Sequence, residues 1–185
     1  IVTRLMRTTF KKIFCLLACS IASFCFSSCG EDDGPDPDII WDFYPIEIYL
    51  TLTGQNGEDL LNPETPGSYA ALATTATFRD KTYAKDEFKE DDMQKTRFYM
   101  PTMYGIRTFL RRDGRYALVF GELDQTMIYK DENLTIDWGN GTQDVITSSS
   151  RIKWKGGKPD NISSYKLNGK EAAKNIPHPT IDIRK

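Results

Sequence analysis

Apolar and polar residues alternate with a period of two along most of the chain beyond residue 39. In IEIYLTLT (residues 46–53), Ile46, Ile48, Leu50 and Leu52 share one face, and Glu47, Tyr49, Thr51 and Thr53 take the other. That pattern predicts a half-buried β-strand. TTATFRDKTYA (74–84) is β-branched and aromatic and predicts a strand bent or turned at Asp80. GIRTFLRRDGRYALVFGEL (105–123) predicts two strands around Asp113-Gly114, a pair that suits the positive φ angles of a type I′ hairpin turn. LTIDWGNGTQDVI (134–146) repeats the device around Gly139-Asn140-Gly141. RIKW (151–154) alternates again, Gly156, Gly157 and Pro159 predict a loop, Asn168-Gly169 a turn, and TIDIR (180–184) a closing strand.

Helix signals are scarce. Residues 85–95, KDEFKEDDMQK, hold one short candidate whose apolar residues are Phe88 and Met93, with a solvated loop as the alternative. Residues 54–67 carry turn formers and two prolines that stop any regular element. About eight short strands with little helix predict an all-β protein, an antiparallel β-sandwich of immunoglobulin-like or related type.

The first thirty residues break this pattern. Arg4, Arg7, Lys11 and Lys12 precede an apolar run over 13–26, followed by Ser27 and Ser28. A basic start, a short apolar stretch and small residues form the three-part layout of a secretory signal. The run falls short of the roughly 20 apolar residues that a spanning helix needs. FSSCG (26–30) resembles a bacterial lipobox, with Phe26 standing where Leu is usual. That resemblance implies a lipid on Cys29, with Cys19 in LLACS as the rival position. The implied lipid has several acyl chains, and two or more chains are what stable attachment requires. Cys15, Cys19 and Cys25 would leave with the signal, so no thiol would remain for a disulfide framework or a thiolate metal site.

GEDDGPDPD (30–38) is too polar and charged to bury, and it reads as a solvated tether. Glu31, Asp32 and Asp33 resemble the acidic surface-export signal of Bacteroidetes lipoproteins, which implies an outer-membrane protein facing the cell exterior. The leader, these acids and the GEDLLNP turn (57–63) together resemble the small, uncharacterised β-rich lipoproteins of Bacteroidetes, a likeness that implies a location and a fold type but no activity. The expected organisation is a signal peptide over 1–28, a lipidated cysteine with its tether over 29–38, and a β-sandwich over 39–185.

Charge narrows the partners. The whole chain carries a formal −2. Four of its 24 basic residues and none of its 26 acids lie in the first 28 positions, which leaves 20 against 26 and a net −6 beyond them. An acidic body without a basic, aromatic-interleaved stripe is unsuited to nucleic acid. No glycine-rich phosphate loop opens a helix, so a nucleotide is not expected either.

Candidate chemistry is thin. His178 lies between two prolines and reads as a turn residue. Ser148, Ser149 and Ser150 lack flanking elbow glycines and read as loop. Asp131, Glu132 and Asn133 are oxygen-rich but lack the EF-hand spacing, and they read as a solvated turn. No catalytic residue, metal or cofactor is expected, and the protein is read as a non-enzyme. IDWGNGT (136–142) resembles the signature of polycystic-kidney-disease-type immunoglobulin-like domains, with Asn140 where that pattern has Asp. A plain hairpin turn of Gly and Asn accounts for the same residues.

Aromatics are the remaining clue. Trp41, Phe43, Tyr44, Tyr49, Tyr99, Tyr104, Trp138 and Trp154 are many for a small domain, and most belong in the core. Tyr49, on the polar face of its strand, with Trp138 and Trp154, forms the expected platform for a glycan or protein ligand. The expected function is that of a binding or accessory module. The alternative is a structural or adhesive subunit that assembles through an edge strand.

Overall fold

A computed structural model describes residues 32–86 and 105–185. The chain divides into two compact units, Ile1–Asp33 and Gly34–Lys185, and every described strand belongs to the second. Its described elements are ten strands. They are β1 (Ile46–Thr53), β2 (Thr75–Phe78), β3 (Lys81–Ala84), β4 (Ile106–Leu110), β5 (Tyr116–Leu123), β6 (Tyr129–Asp137), β7 (Gln143–Lys155), β8 (Lys158–Leu167), β9 (Lys170–Lys174) and β10 (Thr180–Arg184). One sheet has the order β10-β1-β5-β4 and the other the order β3-β2-β6-β7-β8-β9.

The two sheets face each other as a β-sandwich because their period-two stripes bury one another. Ile46, Ile48, Leu50 and Leu52 of β1 join Leu118 and Phe120 of β5 on one side, and Phe78, Leu134, Ile136, Ile146 and Tyr165 meet them from the other. Phe78 stands edge-on to Phe120 with ring centroids 5.5 Å apart. Among the described residues every buried hydrophobic of this core lies between residues 46 and 183, within the unit of residues 34–185.

The sandwich is antiparallel, as expected, except at one pair of strands. β1 and β10 form where the alternation predicts them, but they run parallel, with Leu50 opposite Ile181 and Leu52 opposite Ile183. β9 ends in the six-stranded sheet, so the chain must cross to the other sheet, and Tyr49 N–H receives it by donating to Pro179 O at 2.9 Å. Thr51 and Thr53, on the outer face of β1, donate their hydroxyls to the Asp182 carboxylate of β10 at 3.0 and 2.5 Å.

The turns depart from expectation in both directions. At Asp113-Gly114 Gly114 alone takes a positive φ, 81°. Arg111 N–H donates to Arg115 O, and the loop between them is the three-residue kind with glycine in the left-handed position, not type I′. Gly156 and Gly157, expected to sit in an open loop, both have positive φ (57° and 74°) and join β7 to β8 by a two-residue hairpin turn of the type I′ kind. Pro159 is therefore a strand residue, paired with Trp154. Asn168-Gly169 is the expected turn, with φ values of 49° and 81°.

Two further loop expectations are overturned. Ser148, Ser149 and Ser150 lie inside β7, and Asp131, Glu132 and Asn133 lie inside β6. Both stretches continue a period-two pattern into polar residues, and cross-strand pairing with β8 and β7 overrides their loop-like composition. Of the candidate helix over 85–95, Lys85 and Asp86 are described: Lys85 bridges to Ile106, and Asp86, at φ 56°, donates its N–H to Ile106 O; the remainder, with Phe88 and Met93, lies outside the described residues. Tyr99 and Tyr104 lie outside them as well.

Candidate functional site

The three expected platform residues do not meet. Trp138, at the end of β6, is 0% exposed and belongs to the core, which corrects its assignment as a ligand contact. Tyr69 meets its ring edge-on at 5.7 Å, and its indole N–H donates to Asp144 at 2.7 Å. The adjoining Gly139 explains the turn's composition: φ is +75°, and an added Cβ would stand 3.0 Å from the Ala73 backbone. A tryptophan that plugs one end of the sandwich needs this close approach and offers no ring face to a ligand.

Tyr49 does project from the outer face of β1, but its hydroxyl donates to Glu47 at 2.5 Å and its ring meets Phe109 edge-on at 6.0 Å. Burial, then the hydrogen bond to Glu47 and its charge, push the Tyr49 hydroxyl up to about 12. Trp154 stands near the far end of β7, with Trp41 at 6.1 Å and Phe43 at 6.2 Å, both edge-on. Its neighbours in space are thus residues of the incoming segment. The His178 ring is a turn element whose Nδ1 accepts the Glu47 N–H at 3.1 Å.

Cys29 and Glu31 lie outside the described residues, while Asp32 and Asp33 are the first of them. Immediately beyond, the expected tether is pinned. Pro35 bridges to Gly157, and Asp36 N–H donates to Gly157 O at 3.2 Å. The chain from Pro35 to Phe43 therefore runs against the β7–β8 hairpin.

A groove not foreseen from the sequence opens on the six-stranded sheet. It has a volume of about 440 Å³, within the range of small-ligand sites. A β-bulge builds it. Between the pairs Tyr129–Ser150 and Glu132–Ser148, two residues of β6, Lys130 and Asp131, oppose Ser149 alone. Asp131 sits at φ 49°, its N–H donating to Ser149 Oγ at 2.9 Å. Such a bulge bends its strand and re-aims the side chains beside it.

Ser149, Ser150, Ser163 and Ser164 are among the residues that line the groove, with Ile128 and Ile162 as its apolar wall. The wall on the β9 side is fixed: Asn175 N–H donates to Ser163 O at 2.7 Å, and Ser163 Oγ to Ile176 O at 3.1 Å. Ser150 differs from its neighbours. The residue is 4% exposed, and its Oγ has no hydrogen-bond partner among the described residues. A desolvated hydroxyl without a partner costs about 1–3 kcal/mol, and this one lies on the buried face of β7, away from the Ser149 hydroxyl.

Lys130, Arg151 and Lys174 complete the lining, with Asp131. That carboxylate accepts from Ser149 at 3.2 Å and stands 3.6 Å from Lys166 Nζ. The inward register Ile146, Ser148, Ser150, Ile152 carries serine at two core positions of an otherwise apolar stripe.

Among the described residues no group of three or more His, Cys, Asp or Glu side chains is placed to hold a metal ion. No family model, no curated protein and no solved structure matches this chain.

Proposed function

We propose that this chain is an envelope-attached binding module that takes a hydroxyl-rich ligand, a glycan, in the groove over the β6 bulge, and that it is not an enzyme. The groove itself carries the proposal: a concavity of about 440 Å³ beside the β6 bulge, with the partly exposed serines Ser149 and Ser164 in its lining, each able to donate and to accept a hydrogen bond. Sugars present both kinds of group, and Ile128 and Ile162 offer the apolar contact that a ring's C–H face needs. What speaks against catalysis here is that Asp131 is the sole carboxylate among the groove's described lining residues, and that its oxygen is taken by Ser149 and Lys166. Hydrolysis of a glycosidic bond uses two converging carboxyl groups.

The location rests on the leader. The lipobox-like FSSCG with Cys29, followed by Glu31, Asp32 and Asp33, supports a lipid-anchored protein on the outer face of the outer membrane. The edge-strand subunit fits less well at β4, where Thr108 N–H already donates to the Asp86 carboxylate at 2.6 Å and Asp86 N–H donates to Ile106 O at 3.0 Å. Edges occupied in this way resist further strand addition.

The test is a glycan array probed with residues 34–185, the compact unit that holds the core of the described residues, beside its Ser164→Ala variant. Binding to a glycan class that the variant loses supports the proposal; a blank array overturns it. Labelling with radioactive palmitate and protease shaving of intact cells test the anchor separately. Absence of label on Cys29, or full protection of the domain, overturns the envelope location.

A further inference from the structure

The groove carries a charge opposite to that of the chain around it. Residues 29–185 hold a net −6, yet Lys130, Arg151 and Lys174 converge on this one depression from three different strands, β6, β7 and β9. Among the described residues none of the three has a carboxylate within ion-pair distance, so their charges are not cancelled by a neighbour. The groove's own acid is neutralised locally, with Lys166 Nζ 3.6 Å from Asp131 and the Ser149 hydroxyl 3.2 Å from it. Three cations held around one concavity in an acidic body raise the local concentration of anions and hold them once bound.

From this arrangement we infer that the groove selects an anionic sugar, one bearing a carboxylate or a sulfate, over its neutral counterpart. The inference rests on the proposed glycan-binding function and adds the class of glycan. Each part of the lining has a task in it. The Ser149 and Ser164 hydroxyls exchange hydrogen bonds with ring hydroxyls. Arg151 presents a planar fork of donors that suits a carboxylate or sulfate face, and Lys130 and Lys174 add point charges from the flanking strands.

The experiment uses residues 34–185, titrated calorimetrically with three oligosaccharide probes of matched length: an oligogalacturonate, a sulfated dextran oligomer and a neutral dextran oligomer. Binding to either anionic probe at least tenfold tighter than to the neutral one supports the inference, and the stronger of the two names the acid. The variants Lys130→Gln, Arg151→Gln and Lys174→Gln should each weaken the anionic probe roughly two- to fivefold, and more in combination, while a Lys155→Gln control on the hairpin tip leaves it unchanged. Raised salt should reproduce the loss in the unaltered protein.

Equal affinity for neutral and anionic probes overturns the inference and leaves the glycan-binding function standing. Failure of all three probes together with a blank glycan array removes both. Binding to inorganic polyphosphate as tight as to the anionic sugars also overturns the inference, because charge alone would then account for the site. Circular dichroism of each variant keeps a folding failure from being mistaken for lost recognition.

Discussion

Lys185 Nζ stands 2.6 Å from Asp144 Oδ2 and 5.7 Å from the centre of the Trp138 ring, so one ammonium closes the end of the sandwich over its largest core side chain. Asp144 is 5% exposed and also receives the Trp138 indole N–H and the Asn168 amide at 2.7 and 2.8 Å. Three donors from three separate segments converge on one carboxylate.

Removing that carboxylate leaves a buried indole donor and an ammonium without a partner. Asp144→Ala is expected to cost roughly 3–5 kcal/mol, read as a fall in the urea midpoint with an unchanged slope. Acid acts on the same group. Burial alone would raise the Asp144 carboxyl, but the hydrogen bonds from Lys185, Asn168 and Trp138 outweigh it and hold the group below the usual carboxylate range. Its stabilising contribution is therefore complete above the unfolded value of about 4 and is lost as pH falls through the lower folded value. Urea midpoints measured down an acid series should show this limb, and Asp144→Asn should flatten it. An unaltered acid limb in the variant would place the sensitivity elsewhere.

At the basic end, two tyrosines govern. Tyr49 beside Glu47 and Tyr83 beside Glu122 are both pushed up to about 12, by burial first and the neighbouring carboxylate next. A raised folded value favours the neutral phenol, so this stability is present below the usual tyrosine value of about 10 and disappears as pH rises toward 12. Spectrophotometric titration should find Tyr49 and Tyr83 among the late-ionising tyrosines, beside Tyr129 and Tyr165, which burial also raises, and Glu47→Gln should bring one of them down.

Ser150→Ala separates function from stability. Its hydroxyl lacks a partner among the described residues and is out of a ligand's reach, so its removal should raise thermal stability, by up to about 1 kcal/mol, and leave glycan binding unchanged. A drop in melting temperature would mean that the hydroxyl is satisfied in the folded domain.

The hairpin tip gives a fourth expectation. Gly157 has φ +74°, and an added Cβ would lie 2.9 Å from the Asp36 Cβ. Gly157→Ala should therefore strain the turn by about 1–2 kcal/mol and also push away the segment that begins at Pro35. Limited proteolysis should then cut within residues 36–42 faster, and tryptophan emission should shift to the red as Trp41 leaves Trp154. Unchanged cutting would show that the segment stays in place without the Gly157 contact.

The strands were legible wherever one face is apolar and the other polar. Ile46 to Thr53 and Thr180 to Arg184 are read directly, because burial enforces a period of two. The direction of β10 was not, since nothing in five alternating residues distinguishes a parallel neighbour from an antiparallel one. Turn chemistry identified positions but not types: Asp113-Gly114 is a hairpin turn with a three-residue loop in place of type I′, and Gly156-Gly157 is a tight hairpin turn in place of a loop, because register and strand twist select the loop after the glycine permits it. Aromatic content is a poor guide to the groove. Trp138 satisfies its indole N–H through a buried aspartate six residues on, a partner that composition cannot announce. The groove depends on one unpaired residue in β6, and a bulge leaves no mark in hydropathy.

The parallel pairing of β1 with β10 bears on how the protein is made. Thr51 reaches Asp182 across 131 residues of sequence, so the first of the ten strands to be synthesised waits for the last before its sheet is complete. Contacts of that span slow folding. While residues 180–184 remain inside the ribosome, β1 lacks one neighbour and the core lacks Ile181 and Ile183. A polypeptide that cannot close its sandwich early stays a loose thread for longer, the form in which a chain is most easily passed through a narrow membrane pore.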